Sequence, residues 1–191
     1  NKKIKNFKIT KKKKIIKYII MNIYNFKNYY DYLGILNGCL LADIIILLIV
    51  YYTPYFDSKY LKLWYEKYRL SAVIADVLIL VIGIIITRYI FSIYNLEYNI
   101  INFIFITLAV QIIHDIIFFI FFSNIPKGTN KMLDLFKDYA KEVGYNAILG
   151  DSLMIVIAIL CSVYFLNKSI NFNLISLIIM MYMIPYIIYT K

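Results

Sequence analysis

Residues 33–52 read LGILNGCLLADIIILLIVYY, and this stretch decides the class of fold. It contains one charged residue, Asp43, in a run long enough for an α-helix to cross roughly 30 Å of hydrocarbon. Lipid offers no hydrogen-bond partner to the backbone, so a helix, which satisfies its own backbone groups, is the economical structure. The stretch therefore predicts a transmembrane helix.

Four more stretches have the same character, and the composition of the whole chain agrees with them. The predicted spans are 33–52, 70–91, 100–122, 147–166 and 172–189. The 191 residues are 62% hydrophobic and 17% charged, whereas soluble domains have roughly 45–50% and 25%. This composition excludes a disordered chain, a disulfide-rich mini-protein and an ordinary soluble enzyme. We predict an integral, multi-pass, all-α transmembrane helix bundle of about five spans, forming one domain over residues 21–191.

Two loops between the predicted spans carry recognisable patterns. Residues 54–69 place Trp64 and several tyrosines among lysines, which is typical of an aromatic belt at the membrane interface. In the third loop, apolar residues recur at helical spacing opposite charged ones; they are Met132, Leu135, Phe136, Tyr139 and Val143. This spacing predicts a short amphipathic helix on the membrane surface. It is either a docking or lipid-sensing helix or a simple connector.

The net charge of +10 comes almost entirely from residues 1–20. That segment contains nine of the 21 basic residues and no acidic residue, so the rest of the chain has a net charge of +1. We therefore predict no nucleic-acid partner. Because the segment uses few residue types and precedes Met21, we expect it to be translated upstream sequence. The rival interpretation is a polybasic arm bound to anionic headgroups.

Four predicted spans each contain one aspartate, namely Asp43, Asp76, Asp115 and Asp151. A charge at the centre of a membrane helix costs about 2.5–3.5 kcal/mol on insertion scales, so four of them require an explanation. At about 1.5 Å per residue, all four lie roughly 7–14 Å from the membrane face that carries the first and third loops. Each also shares a helix stripe with small or polar residues, which is typical of helix contacts in lipid. We predict that the carboxyl groups converge inside the bundle.

Gln111 and His114 lie on the same stripe as Asp115 and complete the predicted intramembrane polar cluster. Three roles are open for it. Protonated carboxyl groups could donate hydrogen bonds that fix helix register, a purely structural role. The cluster could form a proton or cation pathway with His114 as a relay. Aspartate oxygens and the His114 nitrogen could also bind a divalent metal, so the metal content is unknown.

Catalytic motifs are scarce in this sequence. Gly150–Asp151 is similar to the Gly-Asp of intramembrane aspartyl proteases, but the second motif of those enzymes is missing, which makes an intramembrane enzyme with paired aspartates a remote alternative. HExxH, GxSxG, Walker and dinucleotide-binding motifs are also missing from the sequence. We predict no enzyme activity, no catalytic residues and no cofactor.

Residues 61–79 (LKLWYEKYRLSAVIADVLI) and 126–154 (PKGTNKMLDLFKDYAKEVGYNAILGDSLM) resemble a known group of proteins. They are similar to small multi-pass membrane proteins encoded by large nucleocytoplasmic DNA viruses of algae and other protists. The resemblance implies a viral origin and residence in a virion or host membrane. We expect the lipid bilayer as a partner, and copies of the chain or other viral membrane or capsid proteins as further candidates. It implies no catalytic residues. The leading expectation is a structural or assembly role, and the alternative is a small proton or cation channel or transporter.

Overall fold

The computed structural model describes residues 23–55 and 58–189, and within these ranges the chain forms seven α-helices. They are α1 (Asp31–Tyr52), α2 (Lys59–Tyr68), α3 (Leu70–Ile93), α4 (Ile100–Asn124), α5 (Lys131–Val143), α6 (Asn146–Leu166) and α7 (Ile170–Ile188). Five of these, α1, α3, α4, α6 and α7, are long and apolar enough to cross a membrane. The protein is therefore a membrane-embedded helical bundle.

The five long helices confirm the predicted fold class, and their ends differ from the predicted spans by no more than a helical turn. α1 begins two residues earlier than predicted, and α4 ends two residues later. α7 begins at residue 170 because Ser169 caps its first turn, accepting a hydrogen bond from the Phe172 N–H at 3.2 Å. The prediction for residues 1–20 and a start at Met21 lies outside the described residues.

The short amphipathic helix predicted in the third loop is α5. Asn130 caps its N-terminus by accepting hydrogen bonds from the N–H groups of Met132 and Leu133 at 2.8 and 3.2 Å. Gly144, with a φ of 54°, ends the helix in a backbone conformation that favours glycine. Leu135 is buried, whereas Lys131 and Lys141 are exposed, so one face of the helix packs on the bundle.

The first loop differs from its predicted role as an aromatic belt, because it contains the helix α2. Ser58 caps this helix by accepting a hydrogen bond from the Leu61 N–H at 3.1 Å. Trp64 and Tyr65 are buried in the protein instead of lying among lipid headgroups. Arg69 alone separates α2 from α3, at a φ of 48°, and the chain turns back on itself there.

α1 is the central helix of the bundle. In its most apolar 18-residue window 67% of the residues are buried, against 17% for α4 and for α7. It packs most extensively along α6 and also contacts α3 and α7. Two polar side chains of α1, Asn37 and Asp43, are therefore fully removed from lipid and water.

Small residues on α1 allow the close approach of α6. A Cβ atom at Gly38 would overlap the backbone of Ser162, and one at Gly34 would lie 3.2 Å from the Leu166 backbone nitrogen. Close backbone contact of this kind replaces the hydrophobic driving force that is missing between helices in lipid. Ser162 adds a hydrogen bond from its hydroxyl to the Ile35 carbonyl at 3.4 Å. The close packing of α1 on α6 thus depends on glycine at positions 34 and 38.

An amide pair links α1 to α7 near the opposite end of the bundle from α2 and α5. The Asn37 side-chain amide donates to the Asn173 carbonyl oxygen at 2.8 Å and to its Oδ1 at 3.0 Å. Asn173 in turn donates to the Phe165 carbonyl at the end of α6, at 3.1 Å. Both asparagines are buried, so these bonds fix the register of three helices without competition from water.

A buried ion pair links α1 to α3 at the same end. Arg88 Nη2 donates to Asp31 Oδ2 at 2.9 Å, to the Asn28 carbonyl at 3.2 Å and to the Asn25 carbonyl. The Arg88 side chain is fully buried and its guanidinium lies over the Tyr32 ring. The anion and the backbone oxygens all bind Nη2 and offset part of the cost of burying the cation, whereas Nε and Nη1 have no hydrogen-bond partner among the described residues.

We predict that Gly38→Ala destabilises the bundle by about 1–3 kcal/mol, because the added Cβ has to displace the Ser162 backbone. The matched control is Gly83→Ala, where the nearest atoms would lie at 4.0 Å. That change should be neutral or slightly stabilising, since alanine is the better helix former. Unfolding in mixed detergent micelles measures both effects, and equal stability of the two variants would contradict the packing argument.

We predict that Arg88→Met destabilises the protein by about 3–5 kcal/mol, because Asp31 would remain buried without its cation. The double variant Arg88→Met/Asp31→Leu removes both charges and should recover much of that loss. The same micelle unfolding experiment measures the three free energies of unfolding. A double variant less stable than Arg88→Met would argue against the ion pair as the cause.

Candidate functional site

The four intramembrane aspartates lie in the half of the bundle that is nearer to α2 and α5. Asp43 on α1 interacts electrostatically with Asp76 on α3, and Asp151 on α6 interacts with Asp76 and with Asp115 on α4. The Asp43 side chain is fully buried, and the side chains of Asp76, Asp115 and Asp151 are partly buried. Four helices therefore bring their carboxyl groups to one region, which we call the aspartate cluster.

Two aromatic side chains of α2 bind the aspartate cluster from one side. Trp64 Nε1 donates a hydrogen bond to Asp76 Oδ2 at 3.1 Å. The Tyr65 hydroxyl donates to Asp43 Oδ1 at 3.4 Å and also interacts with the Asp76 carboxyl group. Burial raises the pKa of Tyr65 well above its usual value, and the nearby carboxylates of Asp76 and Asp43 raise it further. The hydroxyl therefore keeps its proton and acts as a donor to the cluster.

A second tyrosine reaches the cluster from α5. Burial raises the pKa of Tyr139, and the charges of Asp151, Asp76, Glu142 and Asp115 raise it further. These charges come from α3, α4, α6 and α5 itself, and together with burial they keep the Tyr139 hydroxyl protonated. α2 and α5 thus each contribute one protonated phenol to a region of acidic side chains.

The predicted residues Gln111 and His114 contact the cluster through Asp115. Gln111 is buried, and its amide donates to Asp115 Oδ1 at 2.7 Å from the preceding turn of α4. His114 Nδ1 lies 3.2 Å from the same oxygen, but its ring stacks on Phe118 and its side chain is 39% exposed. The structure therefore places Gln111 inside the bundle and His114 at its margin.

The hydrogen bonds leave parts of the aspartate cluster unsatisfied. Among the described residues, Asp43 Oδ2 and Asp115 Oδ2 are buried and have no hydrogen-bond partner. A buried carboxylate oxygen without a donor is costly as an anion, and a proton or a cation would relieve that cost. Within residues 23–55 and 58–189, the acidic, histidine and cysteine side chains form no group of three arranged to hold a metal ion.

The carboxylate of Glu142 on α5 caps the N-terminus of α2 and so joins the two helices. Glu142, on the last turn of α5, accepts hydrogen bonds from the Ser58 hydroxyl at 2.5 Å and from the N–H groups of Lys59 and Tyr60 at 2.9 and 3.2 Å. A carboxylate at a helix N-terminus also opposes the positive end of the helix dipole. The Phe136 ring packs 4.8 Å from the Trp64 ring and fills the space between the two helices.

The sequence identified the acids of this site but not the aromatic side chains that bind them. Trp64 and Tyr65 lie in a segment whose lysines and tyrosines resemble an interface belt, so their burial is a tertiary effect. Tyr139 offered a usable signal, because it places a hydroxyl group on the apolar face of α5. A phenol in that position needs a polar partner when it is buried.

We predict that the contact between α2 and α5 weakens at acidic pH. Burial alone would raise the pKa of Glu142, but the hydrogen bonds from Ser58, Tyr60 and Lys59 outweigh it and lower the pKa below the ordinary 4.5. A lowered pKa gives stability that is fully present above pH 4.5 and is lost as the pH falls through the value in the folded protein. The emission of Trp64, the only tryptophan, should report this change between neutral pH and about pH 3.

The variant for this test is Glu142→Gln, which should shift the Trp64 emission already at neutral pH and reduce its change on acidification. The control is Glu66→Gln, an exposed carboxylate on the same helix as Trp64. The control should behave as the unmodified protein. A pH profile of Glu142→Gln identical to that of the control would show that Glu142 does not hold the two helices together.

Comparisons of the chain with protein-family models, with curated proteins and with solved structures find no match. The chain is assigned to a class by its helices alone, as a membrane-embedded bundle with about five spans.

Proposed function

We propose that the protein moves protons, or a monovalent cation in their place, across a membrane, and that the aspartate cluster is the binding site. The observation that carries this proposal is the burial of Asp43 with one carboxyl oxygen left without a partner among the described residues. Its side chain is fully buried in the central helix, one oxygen accepts a hydrogen bond from Tyr65, and the other has no partner among the described residues. An intramembrane acid in this condition is typical of ion and proton pathways.

The surroundings of Asp43 support exchange with the membrane face that carries α2 and α5. Asp76 and Asp151 are partly exposed and interact with each other, and Asp76 also interacts with Asp43. Carboxyl groups that interact electrostatically bind and release protons as a group instead of independently. The hydroxyl of Tyr65 adds a donor beside these acids. A proton entering at the partly exposed acids would thus reach Asp43 through protonatable neighbours.

Polar side chains of α1 continue toward the opposite face. Asn37 and Asp31 lie six and twelve residues before Asp43, which corresponds to about 9 and 18 Å along the helix axis. Both are buried, and Asn37 Oδ1 is a buried acceptor without a partner in the described part of the chain. These side chains give the central helix acceptors in both halves of the membrane.

The fold does not depend on the aspartates alone for its helix contacts, which leaves them available for ion binding. The glycine contacts of α1 with α6, the asparagine pair and the Arg88–Asp31 ion pair lie outside the cluster. Asp115 accepts a hydrogen bond from Gln111 and contacts His114, and both of these residues belong to its own helix.

We predict that Asp43→Asn reduces proton flux in liposomes to the level of protein-free vesicles. Asparagine keeps an acceptor for Tyr65 but cannot bind and release a proton, so the fold should survive while transport is lost. Asp76→Asn provides a second variant that retains an acceptor for Trp64. The control is Asp138→Asn, an acid on α5 that pairs with Lys127 outside the cluster. Flux is measured with an internal pH dye under a potassium-valinomycin potential.

Parallel arms with sodium and potassium gradients identify the species that moves. Flux of any of these ions that Asp43→Asn and Asp76→Asn abolish and Asp138→Asn preserves would support the proposal. Absence of flux under every gradient from folded, inserted protein would refute it. Equal flux from all variants would place conduction elsewhere in the bundle.

The second candidate function is a structural or assembly role in a viral membrane, and the contacts of α2 favour it. Trp64 and Tyr65 bind Asp76 and Asp43, so these acids also attach α2 to α1 and α3. For this role the viral origin rests on the resemblance of residues 61–79 and 126–154. Under this hypothesis the asparagine variants leave flux at background throughout and change only stability or association with partner proteins.

A further inference from the structure

A groove at the end of α4 is lined by apolar and basic side chains. It is about 580 Å³ in volume and lies between the last turns of α4, the α4–α5 linker and the second half of α5. Phe119, Phe122 and Ile125 contribute apolar lining, and Lys127, Lys137 and Lys141 contribute charge. The lining contains three lysines and no acidic residue.

The groove lies where a membrane-spanning helix meets the membrane surface. α4 is apolar up to its last turn, and Phe119 and Phe121 near its end are more than half exposed. α5 follows as an amphipathic helix whose apolar face packs on the bundle. A side chain such as lysine at this level keeps its ammonium group among the headgroups while its stem contacts apolar surface. The apolar lining is thus continuous with the lipid-facing side of α4.

The three lysines keep a positive balance after their internal contacts are counted. Lys127 pairs with Asp138 at 2.7 Å, and Lys137 donates to the Ile125 carbonyl and lies 3.9 Å from Asp134. Three ammonium groups therefore face two carboxylates, and Lys141 is the one in excess. The hydrogen bond from Lys127, with the charges of Lys141 and Lys137, holds the pKa of Asp138 below its usual value, in agreement with a positive potential at the groove.

We infer that this groove binds an anionic phospholipid, with the headgroup phosphate at Lys127, Lys137 and Lys141 and an acyl chain along Phe119 and Phe122. A phosphate group is attracted to clustered lysines near a membrane surface. The volume of the groove falls within the range that binding sites for small molecules occupy. The site is separate from the aspartate cluster, so the inference does not depend on the proposed ion transport.

The test is lipid binding by the full chain in detergent, followed by native mass spectrometry and by thermal unfolding. Phosphatidylglycerol should bind and raise the melting temperature, whereas phosphatidylcholine should have a much smaller effect. Lys141→Gln should weaken phosphatidylglycerol binding about fivefold, the loss expected for one lysine near a membrane surface. The matched control is Lys131→Gln, an exposed lysine of the same helix that does not line the groove.

Three results would overturn the inference. Equal binding of the two lipids would show that the groove does not select the headgroup charge. Equal losses for Lys141→Gln and Lys131→Gln would show a general attraction to basic protein. Full competition by inorganic phosphate or glycerol phosphate would show a soluble anion, not a lipid, as the ligand. Because Lys141 is exposed, its replacement leaves the packing of the bundle intact, and unchanged melting without lipid checks this.

Discussion

The enclosure of α1 by its neighbours determines which polar groups the rest of the protein must accommodate. Glycine at the α1–α6 contact brings the two backbones together and leaves α1 with little contact to lipid. Three of its polar side chains then meet three different elements. Asp31 pairs with Arg88 of α3, Asn37 with Asn173 of α7, and Asp43 with Tyr65 of α2. Each of these three polar side chains needs a partner within the protein, because neither water nor lipid can form a hydrogen bond with it at that position.

The two halves of the bundle satisfy their buried polar groups in different ways. The half with Arg88 matches charge with opposite charge and amide with amide. The half with the aspartate cluster places acids beside acids, and its donors are the neutral side chains of Trp64, Tyr65 and Gln111, with His114 beside Asp115. Neutral donors stabilise a carboxylate less than a cation does. Both halves retain buried polar atoms without a partner in the described part of the chain, Asn37 Oδ1 and two nitrogens of Arg88 in one, Asp43 Oδ2 and Asp115 Oδ2 in the other, but it is the second half that brings four aspartates together.

Much of the fold could be predicted from the sequence, because apolar runs of sufficient length in lipid admit few structures. The positions of Asp43, Asp76, Asp115 and Asp151 along their helices, in the half of the bundle nearer to α2 and α5, were predictable from the constant rise of a helix. The amphipathic spacing of residues 131–143 likewise sufficed for α5. Periodicity carries this information wherever lipid, bundle and water impose distinct sides on a helix.

The contacts between elements could not be predicted, because they depend on which helices become neighbours. Asp31 lies just before the predicted first span, and Arg88 lies near the end of the second, so their pairing appears only once α1 and α3 pack together. The aromatic residues of α2 were misleading in the same way, since tyrosine and tryptophan suit both a membrane interface and a buried polar contact. Glu142 at the N-terminus of α2 depends on the meeting of two loops that are 82–84 residues apart.

Because Arg69 alone separates α2 from α3, a rotation of the backbone at Arg69 displaces the far end of α2 the most. Arg69 supplies two rotatable backbone angles, and α2 extends from it over ten residues, or about 15 Å. A rotation of roughly 10° at this joint would displace the far end by about 2–3 Å, which exceeds the tolerance of a hydrogen bond. Glu142 binds at that far end, beyond Trp64 and Tyr65 as counted from the joint. The Glu142 carboxylate therefore restrains α2 at the end farthest from Arg69. The same helix carries Trp64 and Tyr65, which donate hydrogen bonds to Asp76 and Asp43.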